Sequence, residues 1–208
     1  MSSTSMTSIS GVVFISFIGA SLPPPPPIEM AMGHGMPGIQ GALDHGVRPS
    51  LSSDVDVTMG QDPFTVMRST FTLQRLLALQ RIQKNDPNPP KLLTCRDVLE
   101  FATIEGARCA GLDNKTGSIT PGKEADLVLL QADRLNVWPL NNAAGCVVNL
   151  MGISNVESVF IAGKVRKWRG ALVGVVGAVL MARGGGGVGG GAPQNAAPQK
   201  DHRSKAKR

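Results

Sequence analysis

Two low-complexity runs bracket the part of this chain that can build a hydrophobic core. Residues 23–27 are five consecutive prolines, and seven of the eight residues at 184–191 are glycine. Proline runs adopt the extended polyproline II conformation and glycine-rich runs stay flexible, so neither buries much apolar surface. We therefore expect a disordered Ser/Pro-rich leader over residues 1–27, a folded portion over 28–170, and a disordered tail over 171–208 that is first apolar, then Gly-rich and basic.

The charge distribution follows the same division. Residues 28–163 carry 11 Lys and Arg against 14 Asp and Glu, a net charge of −3, whereas residues 164–208 carry 10 against one, a net charge of +9. The overall charge of +6 therefore gives no reason to treat the folded portion as a nucleic-acid binder. A protein that associates with RNA through its basic tail stays an alternative, although no Phe, Tyr or Trp follows Trp168 to provide a stacking platform.

Cysteine use and hydropathy indicate the compartment. The three cysteines, Cys95, Cys109 and Cys146, are an odd number without metal-type spacing, which is typical of reduced thiols rather than of a disulfide framework. No apolar run reaches the roughly 20 residues that a transmembrane helix needs. We therefore expect a cytoplasmic protein that has no membrane partner.

Start and stop signals predict one long helix. Asp62 followed by Pro63 is a typical N-cap and N1 pair, and the helix is expected to reach about Lys84, ahead of the Asn- and Pro-rich run at 85–90. Its predicted apolar positions are Phe64, Met67, Phe71, Leu73, Leu76 and Leu77.

A second helix is predicted from Thr94, because Asp97 three residues later is close to a capping box. It is expected to end at Gly111, with an apolar stripe formed by Val98, Ala102 and Cys109.

Shorter patterns predict the remaining elements. Residues 39–45 favour a short helix, with His45 at its end, and residues 47–51 favour a strand. Residues 125–130 have the pattern of a buried strand, and residues 156–165 read as two strands that turn at Ala162–Gly163.

Two residues carry the candidate chemistry. Asp54 follows the predicted strand at 47–51, and polar residues just past the carboxyl end of a strand face the active site in a (β/α)8 barrel. A carboxylate there can ligate a metal or transfer protons, although a lone Asp after a strand is more often a helix cap or a turn residue. His34 lies between Gly33 and Gly35, so its imidazole can be presented to a ligand. The residue types alone do not name an activity.

Several longer stretches resemble the amidohydrolase superfamily, specifically its cytosine deaminase-like and S-adenosylhomocysteine/methylthioadenosine deaminase-like branch. Residues 46–54, Gly-Val-Arg-Pro-Ser-Leu-Ser-Ser-Asp, resemble the last barrel strand, where a Gly-x-x-x-x-Leu-Gly-Thr-Asp pattern ends in the metal-linked aspartate. Residues 117–128, Gly-Ser-Ile-Thr-Pro-Gly-Lys-Glu-Ala-Asp-Leu-Val, resemble the signature that builds the small β-sandwich beside the barrel. Residues 159–165 resemble its closing hairpin, and residues 29–35 are similar to a segment before the last helix–strand unit.

The resemblance implies a catalytic and metal-binding role for Asp54. In the family, the matching aspartate binds a divalent metal, zinc or iron, and helps to activate the water that attacks the carbon of a C–N bond. The family's other ligands, a His-x-His after the first strand and single histidines after the fifth and sixth, have no counterpart in this sequence. We therefore expect that this chain alone does not hold the metal. By analogy, His34 is assigned to substrate binding.

The fold class predicted from the resemblance is α/β. Residues 28–112 are expected to form an incomplete carboxyl-terminal portion of a (β/α)8 barrel, and residues 113–170 part of the small β-sandwich. A complete barrel takes about 250 residues. The abrupt edges of the resemblance therefore indicate a truncated or mis-spliced gene model, a genuine fragment or a degenerate paralogue.

The leading functional hypothesis is a metal-dependent hydrolase of C–N bonds other than peptide bonds, which deaminates a purine- or pyrimidine-like substrate. Its substrate would be a heterocyclic amine or amide, and the chain alone is expected to be inactive. The alternative is a non-catalytic remnant that acts through protein partners. Because an incomplete barrel leaves strand 47–51 with an open edge, we expect poor solubility or a homo-oligomer. Nucleic acid is not expected as a partner.

Overall fold

Six α-helices, a 3₁₀ turn and five strands make up the part of the chain that the computed structural model describes, residues 11–13, 26–53, 60 and 62–174. The helices are α1 (Pro26–Met32), α2 (Ile39–Asp44), α3 (Pro63–Gln83), α4 (Cys95–Ala102), α5 (Ile104–Cys109) and α6 (Ala143–Asn149). The strands are β1 (Gly11–Val13), β2 (Leu127–Leu130), β3 (Val156–Ile161), β4 (Lys164–Trp168) and β5 (Ala171–Leu172), and the 3₁₀ turn is Ile153–Asn155. These elements belong to one unit that ends at Gly174; the second unit, residues 175–208, lies outside the described residues.

The long helix α3 begins where the sequence signals predict. The Asp62 side chain accepts hydrogen bonds from the backbone N–H groups of Phe64, at 3.0 Å, and Thr65, at 3.1 Å, and Pro63 is the first helical residue. These bonds satisfy two of the amide donors that a helix start leaves without an intrahelical partner. The predicted helix is confirmed, with Lys84 as its C-cap.

The buried face of α3 departs from the predicted apolar stripe in its second half. Met67 and Leu73 are buried as predicted, but Leu76 is 52% exposed. Gln74 and Ala78 are fully buried instead. A helix turns about 100° per residue, so Leu76, two positions after Gln74, faces almost the opposite way.

The second predicted helix is interrupted, because α4 and α5 are separated at Thr103. This residue leaves the helical backbone angles, with φ −125° and ψ −90°, and its hydroxyl donates to the carbonyl of Leu99 at 2.7 Å. The break re-orients the following turn. Cys109, predicted on the buried stripe with Val98, is therefore exposed, whereas Ala107 is fully buried.

Residues 47–51 do not form the predicted strand. No described strand pairs with them, although Pro49, Ser50 and Leu51 are buried. A strand is defined by its hydrogen-bonded neighbour, and the described part of the chain provides none for this segment.

Three elements occupy parts that were predicted to be disordered. Strand β1 lies in the predicted leader, where it pairs with β2. Helix α1 begins at Pro26, within the proline run, because a proline in the first helical turn loses only an N–H that has no intrahelical partner there. At the other end, β5 pairs with β4 and extends the sheet beyond residue 170. The predicted short helix at 39–45 is confirmed as α2, with His45 as its C-cap.

The five strands form one antiparallel sheet in the order β1-β2-β3-β4-β5. Strand β2 begins two residues later than predicted, and the predicted hairpin is confirmed as β3 and β4. Val128, Val159, Lys167 and Leu172 are cross-strand partners in succession, so they form a row on one face of the sheet.

The core lies where α3, α4 and α6 pack against one another and against β2. Its fully or almost fully buried members include Phe64, Phe101, Val148 and Leu130. The row of cross-strand partners begins at Val128, which is partly buried and packs against this core, and ends at Leu172, which is exposed to solvent. None of the described helices combines the length and apolar character needed to cross a bilayer.

Candidate functional site

Asp54, the predicted catalytic and metal-binding residue, lies outside the described residues. The structure instead shows how the chain is held on either side of the connection between residue 53 and Asp62, which includes Asp54. Upstream is the segment 47–53, and downstream is Asp62 at the start of α3.

Arg48 fastens the upstream segment to α4 and α5. Its Nε donates to Glu105 and its Nη2 to Glu100, both at 2.8 Å, and Asp97 lies 3.8 Å from Nη1. The guanidinium carbon also sits 5.1 Å from the ring centroid of Phe101, within cation–π range. Because the Glu105 side chain is only 8% exposed, removing Arg48 would weaken the pairing of a buried carboxylate.

The same cluster lowers the pKa of Asp97 below its ordinary value. Burial acts to raise this pKa. The larger combined effect comes from hydrogen bonds donated by the hydroxyl and the backbone N–H of Thr94, at 2.6 and 2.9 Å, and from the positive charges of Arg48 and Lys91, all of which lower the pKa. The carboxylate therefore stays ionised as the N3 partner of the capping box that starts α4.

The downstream helix is held from two sides. Arg68 of α3 donates to the carbonyl oxygens of Asn149, at 2.9 Å, and Met151, at 2.7 Å, which lie at the end of α6. These carbonyls have no intrahelical partner at a helix end, so the guanidinium satisfies them and joins the two helices.

Gln74 makes the second attachment of α3. Its side chain is fully buried; its amide nitrogen donates to Gln40 Oε1, at 2.7 Å, and to the carbonyl of Lys91, at 3.1 Å, and its oxygen accepts from the N–H of Leu93, at 3.0 Å. One side chain therefore links α2, α3 and the loop that precedes α4.

His34, predicted to bind substrate, lies after α1 and is more than half exposed. Its Nδ1 is 3.5 Å from Glu29 Oε1, and its backbone N–H donates to the carbonyl of Glu29 at 3.2 Å. The flanking Gly33 and Gly35 have positive φ angles of 70° and 109°, a region that favours glycine. Nothing in the described chain brings the ring of His34 to another candidate site residue.

The motif at 117–128 serves the architecture of the sheet. The Lys123 ammonium donates to the carbonyls of Asp113 and Thr116, which closes the loop before β2. Asp126 accepts from the Thr116 hydroxyl and from the backbone N–H of Ala162, both at 2.7 Å. The motif thus fixes the β3–β4 turn against β2.

Gly117 shows why that motif starts with glycine. Its φ is +84°, and a Cβ added there would lie 2.6 Å from the Cβ of Ala107. The backbone can approach α5 this closely only without a side chain.

Sequence reasoning did not single out Arg48, Glu105 or Gln74. Arg48 and Glu105 are 57 positions apart, so no local pattern joins them. Gln74 did carry a signal, because it is a polar residue next to Leu73 in the middle of an apolar helical pattern.

The described residues do not by themselves fit a metal ion. Among them, no three His, Cys, Asp or Glu side chains cluster closely enough to hold one. Zinc sites in proteins use at least three protein ligands, so the described part of the chain does not form such a site on its own.

Comparison with known proteins shows which family this chain resembles. The model of the amidohydrolase family matches residues 12–166. A 5-methylthioadenosine/S-adenosylhomocysteine deaminase of Acetivibrio thermocellus is 27% identical over 140 residues, which are 67% of this chain and 31% of that protein. A 5′-deoxyadenosine deaminase of Methanothermobacter thermautotrophicus is 31% identical over 126 residues, which are 59% of this chain and 29% of that protein.

Solved structures agree. A crystal structure of an adenosine deaminase from Xanthomonas campestris with bound zinc superposes with a TM-score of 0.64 at 26% identity, over 76% of this chain and 34% of that one. A guanine deaminase from E. coli shares the fold, with a TM-score of 0.56 at 19% identity over 69% of this chain and 33% of that one. This chain spans about a third of the length of these relatives. The family model covers most of it, and the chain therefore belongs to the amidohydrolase family.

Proposed function

We propose that this chain is the carboxyl-terminal part of a metal-dependent hydrolase that cleaves C–N bonds other than peptide bonds. The matched relatives deaminate methylthioadenosine, S-adenosylhomocysteine or 5′-deoxyadenosine, according to their names. We therefore propose an adenosine derivative as the substrate, with the exocyclic amine of the purine as the leaving group.

The observation that carries this proposal is the anchoring of both ends of the connection around Asp54. Arg48 ties the upstream end to Glu105, and Asp62 caps α3 downstream. The family match, residues 12–166, includes this connection. A carboxylate that must meet a metal within a few tenths of an ångström needs such fixed flanks. Asp54 is therefore assigned as the metal ligand that this chain contributes, and as the group that orients the attacking water.

The remaining ligands belong, in this proposal, to the two thirds of the relatives' length that this chain does not match. Zinc is the proposed metal, since the Xanthomonas campestris deaminase contains it, and iron is the alternative. The chain alone is then inactive. Its own contribution is to orient Asp54 and to build one wall of the site.

His34 is proposed to contact the substrate at the rim of that site. Glu29 Oε1 lies 3.5 Å from Nδ1 of its ring, and a carboxylate on that side favours a proton on Nδ1, which leaves Nε2 for the ligand. We also propose that the enzyme is cytoplasmic and assembles as a homo-oligomer.

The proposal is tested with a chimera, because the chain alone lacks most ligands. Residues 28–170 replace the corresponding part of the Acetivibrio thermocellus deaminase, and ammonia release is measured with methylthioadenosine, 5′-deoxyadenosine and guanine. We expect deamination of the two adenosine derivatives and none of guanine. A chimera that folds and binds zinc but releases no ammonia from either adenosine derivative contradicts the proposal.

A further inference from the structure

The far end of the sheet carries a face that the catalytic proposal does not use. Ile161 pairs with Lys164, Val159 with Lys167, and Lys167 with Leu172. Directly opposed residues of antiparallel strands project to the same side, as do alternate residues along one strand. These five side chains therefore form one surface, here called the cationic face.

The cationic face is open although its row begins in the core. Val128, the partner of Val159, packs against the core cluster, whereas Ile161 is 51% exposed and Leu172 is 66% exposed. Lys164 is exposed as well. The sheet thus extends past the helices and presents aliphatic and cationic side chains side by side.

The charges on this end of the sheet are not neutralised within the described chain. Strand β4 and the turn after it carry Lys164, Arg166, Lys167 and Arg169, whereas the carboxylates at this end are Glu157 of β3 and Asp126, which accepts a hydrogen bond from the β3–β4 turn. No ion pair among the described residues includes any of the four cations. Elsewhere in the described chain, Arg48, Arg81, Arg96 and Arg108 have carboxylate partners, whereas the lysines have none, so what distinguishes this end of the sheet is the clustering of its cations.

The positive charge and the small area of the cationic face determine which kind of partner can bind there. A second copy of the chain would bring like charges together, and a stable protein interface takes about 20–30 residues a side, far more than this face offers. An anionic bilayer fits both features, because lysines reach the headgroups while neighbouring aliphatic side chains enter the boundary below them. We propose that the cationic face docks this protein onto anionic lipid surfaces.

This proposal differs from the expectation, drawn from the sequence, that the protein has no membrane partner. That expectation considered membrane-spanning runs, whereas peripheral binding needs only a small apolar surface and several cations. The proposal is independent of the catalytic one, since none of its residues belongs to the candidate site.

The test is co-sedimentation of the full chain with vesicles of phosphatidylcholine, with or without phosphatidylserine. We expect binding only when phosphatidylserine is present. The double variant Lys164→Gln/Lys167→Gln is expected to weaken binding roughly 30-fold. Each lysine near an anionic surface contributes about 1 kcal/mol, and the two contributions add. Leu172→Ser is expected to weaken it several-fold.

Matched controls separate this face from the overall charge, to which the basic tail also contributes. Lys91→Gln/Lys115→Gln removes the same charge from two exposed lysines elsewhere, and Leu135→Ser replaces a side chain that is 94% exposed. Both should bind like the wild type, and circular dichroism melts confirm that every variant is folded. Equal losses in the test and control pairs overturn the proposal. A second outcome also overturns it. If the double variant loses binding to poly-glutamate but keeps binding to vesicles, the face binds an acidic peptide instead.

Discussion

At the scale of single residues, Gln74 shows how one buried polar side chain can organise three elements. Its amide has partners on α2 and on the loop before α4, and no water-exposed surface of its own. Replacing it with an apolar side chain of similar length leaves the N–H of Leu93 and the amide oxygen of Gln40 without these partners. Unpaired buried groups cost more than the hydrogen bonds contribute.

We therefore predict that Gln74→Met lowers the free energy of unfolding by about 2 kcal/mol or more. Urea titration followed by circular dichroism measures the change. Gln80→Met, at an exposed position of the same helix, should stay within about 0.5 kcal/mol of the wild type. Similar values for the two variants would mean that the Gln74 contacts do not stabilise the fold.

Residue-scale contacts are also where sequence reasoning reaches least far. The N-cap at Asp62 was predictable, because a cap bonds to residues two and three positions away. The contact between Arg48 and Glu105 was not, because it forms only after the chain between them has folded. Its chemistry is visible in the sequence, but the pairing of one arginine with one carboxylate among 14 in the folded portion is a property of the fold.

At the scale of elements, the start of α4 rests on the reciprocal capping box of Thr94 and Asp97. Thr94→Ala removes the hydroxyl that accepts from the Asp97 N–H and donates to its carboxylate. We predict a loss of about 1 kcal/mol in the free energy of unfolding. Thr72→Ala is the control, since that hydroxyl bonds only to carbonyls within its own helix. A loss of the same size in Thr72→Ala would contradict a capping role.

The lowered pKa of Asp97 makes a prediction about pH. A carboxyl group whose pKa is lower in the folded state adds stability above its unfolded pKa of about 3.9, and this stability is lost as the pH falls through the folded value. Wild-type stability should therefore fall on acidification below about pH 4. Asp97→Asn should start from a lower stability and show a shallower fall.

Denaturant titrations between neutral and acidic pH measure this difference. Asp133→Asn, which removes a carboxylate from an exposed position of the loop after β2, serves as the control and should fall in parallel with the wild type. An Asp97→Asn curve parallel to the wild type across the acidic range would contradict the assignment.

Elements that are set by interactions between neighbouring residues were predicted, whereas elements that depend on residues distant in the sequence were not. The start of α3 and the hairpin of β3 and β4 depend on neighbouring residues and were predicted. The break at Thr103 was not, because no glycine or proline marks that position in the sequence. The strand at 47–51 also failed, since its hydrogen-bonded neighbour is not in the described part of the chain.

At the scale of the whole molecule, the chain spans about a third of the length of the amidohydrolases that it matches. Its core of α3, α4, α6 and β2 explains how such a third can hold the flanks of Asp54 in place. Family membership followed from the motif at 117–128, whose residues have a structural role in closing the sheet. The motif therefore identified the family without locating the chemistry that we propose for Asp54.

The most direct test of the central claim is the deamination rate of the chimera with Asp54 replaced. We predict that Asp54→Asn reduces kcat for methylthioadenosine by at least about 100-fold, as expected for a group that orients and activates the attacking water. Asp56→Asn, two positions later on the same connection, should retain activity within a few-fold. An Asp54→Asn chimera that deaminates as fast as its parent would contradict the assignment of Asp54 to the metal site.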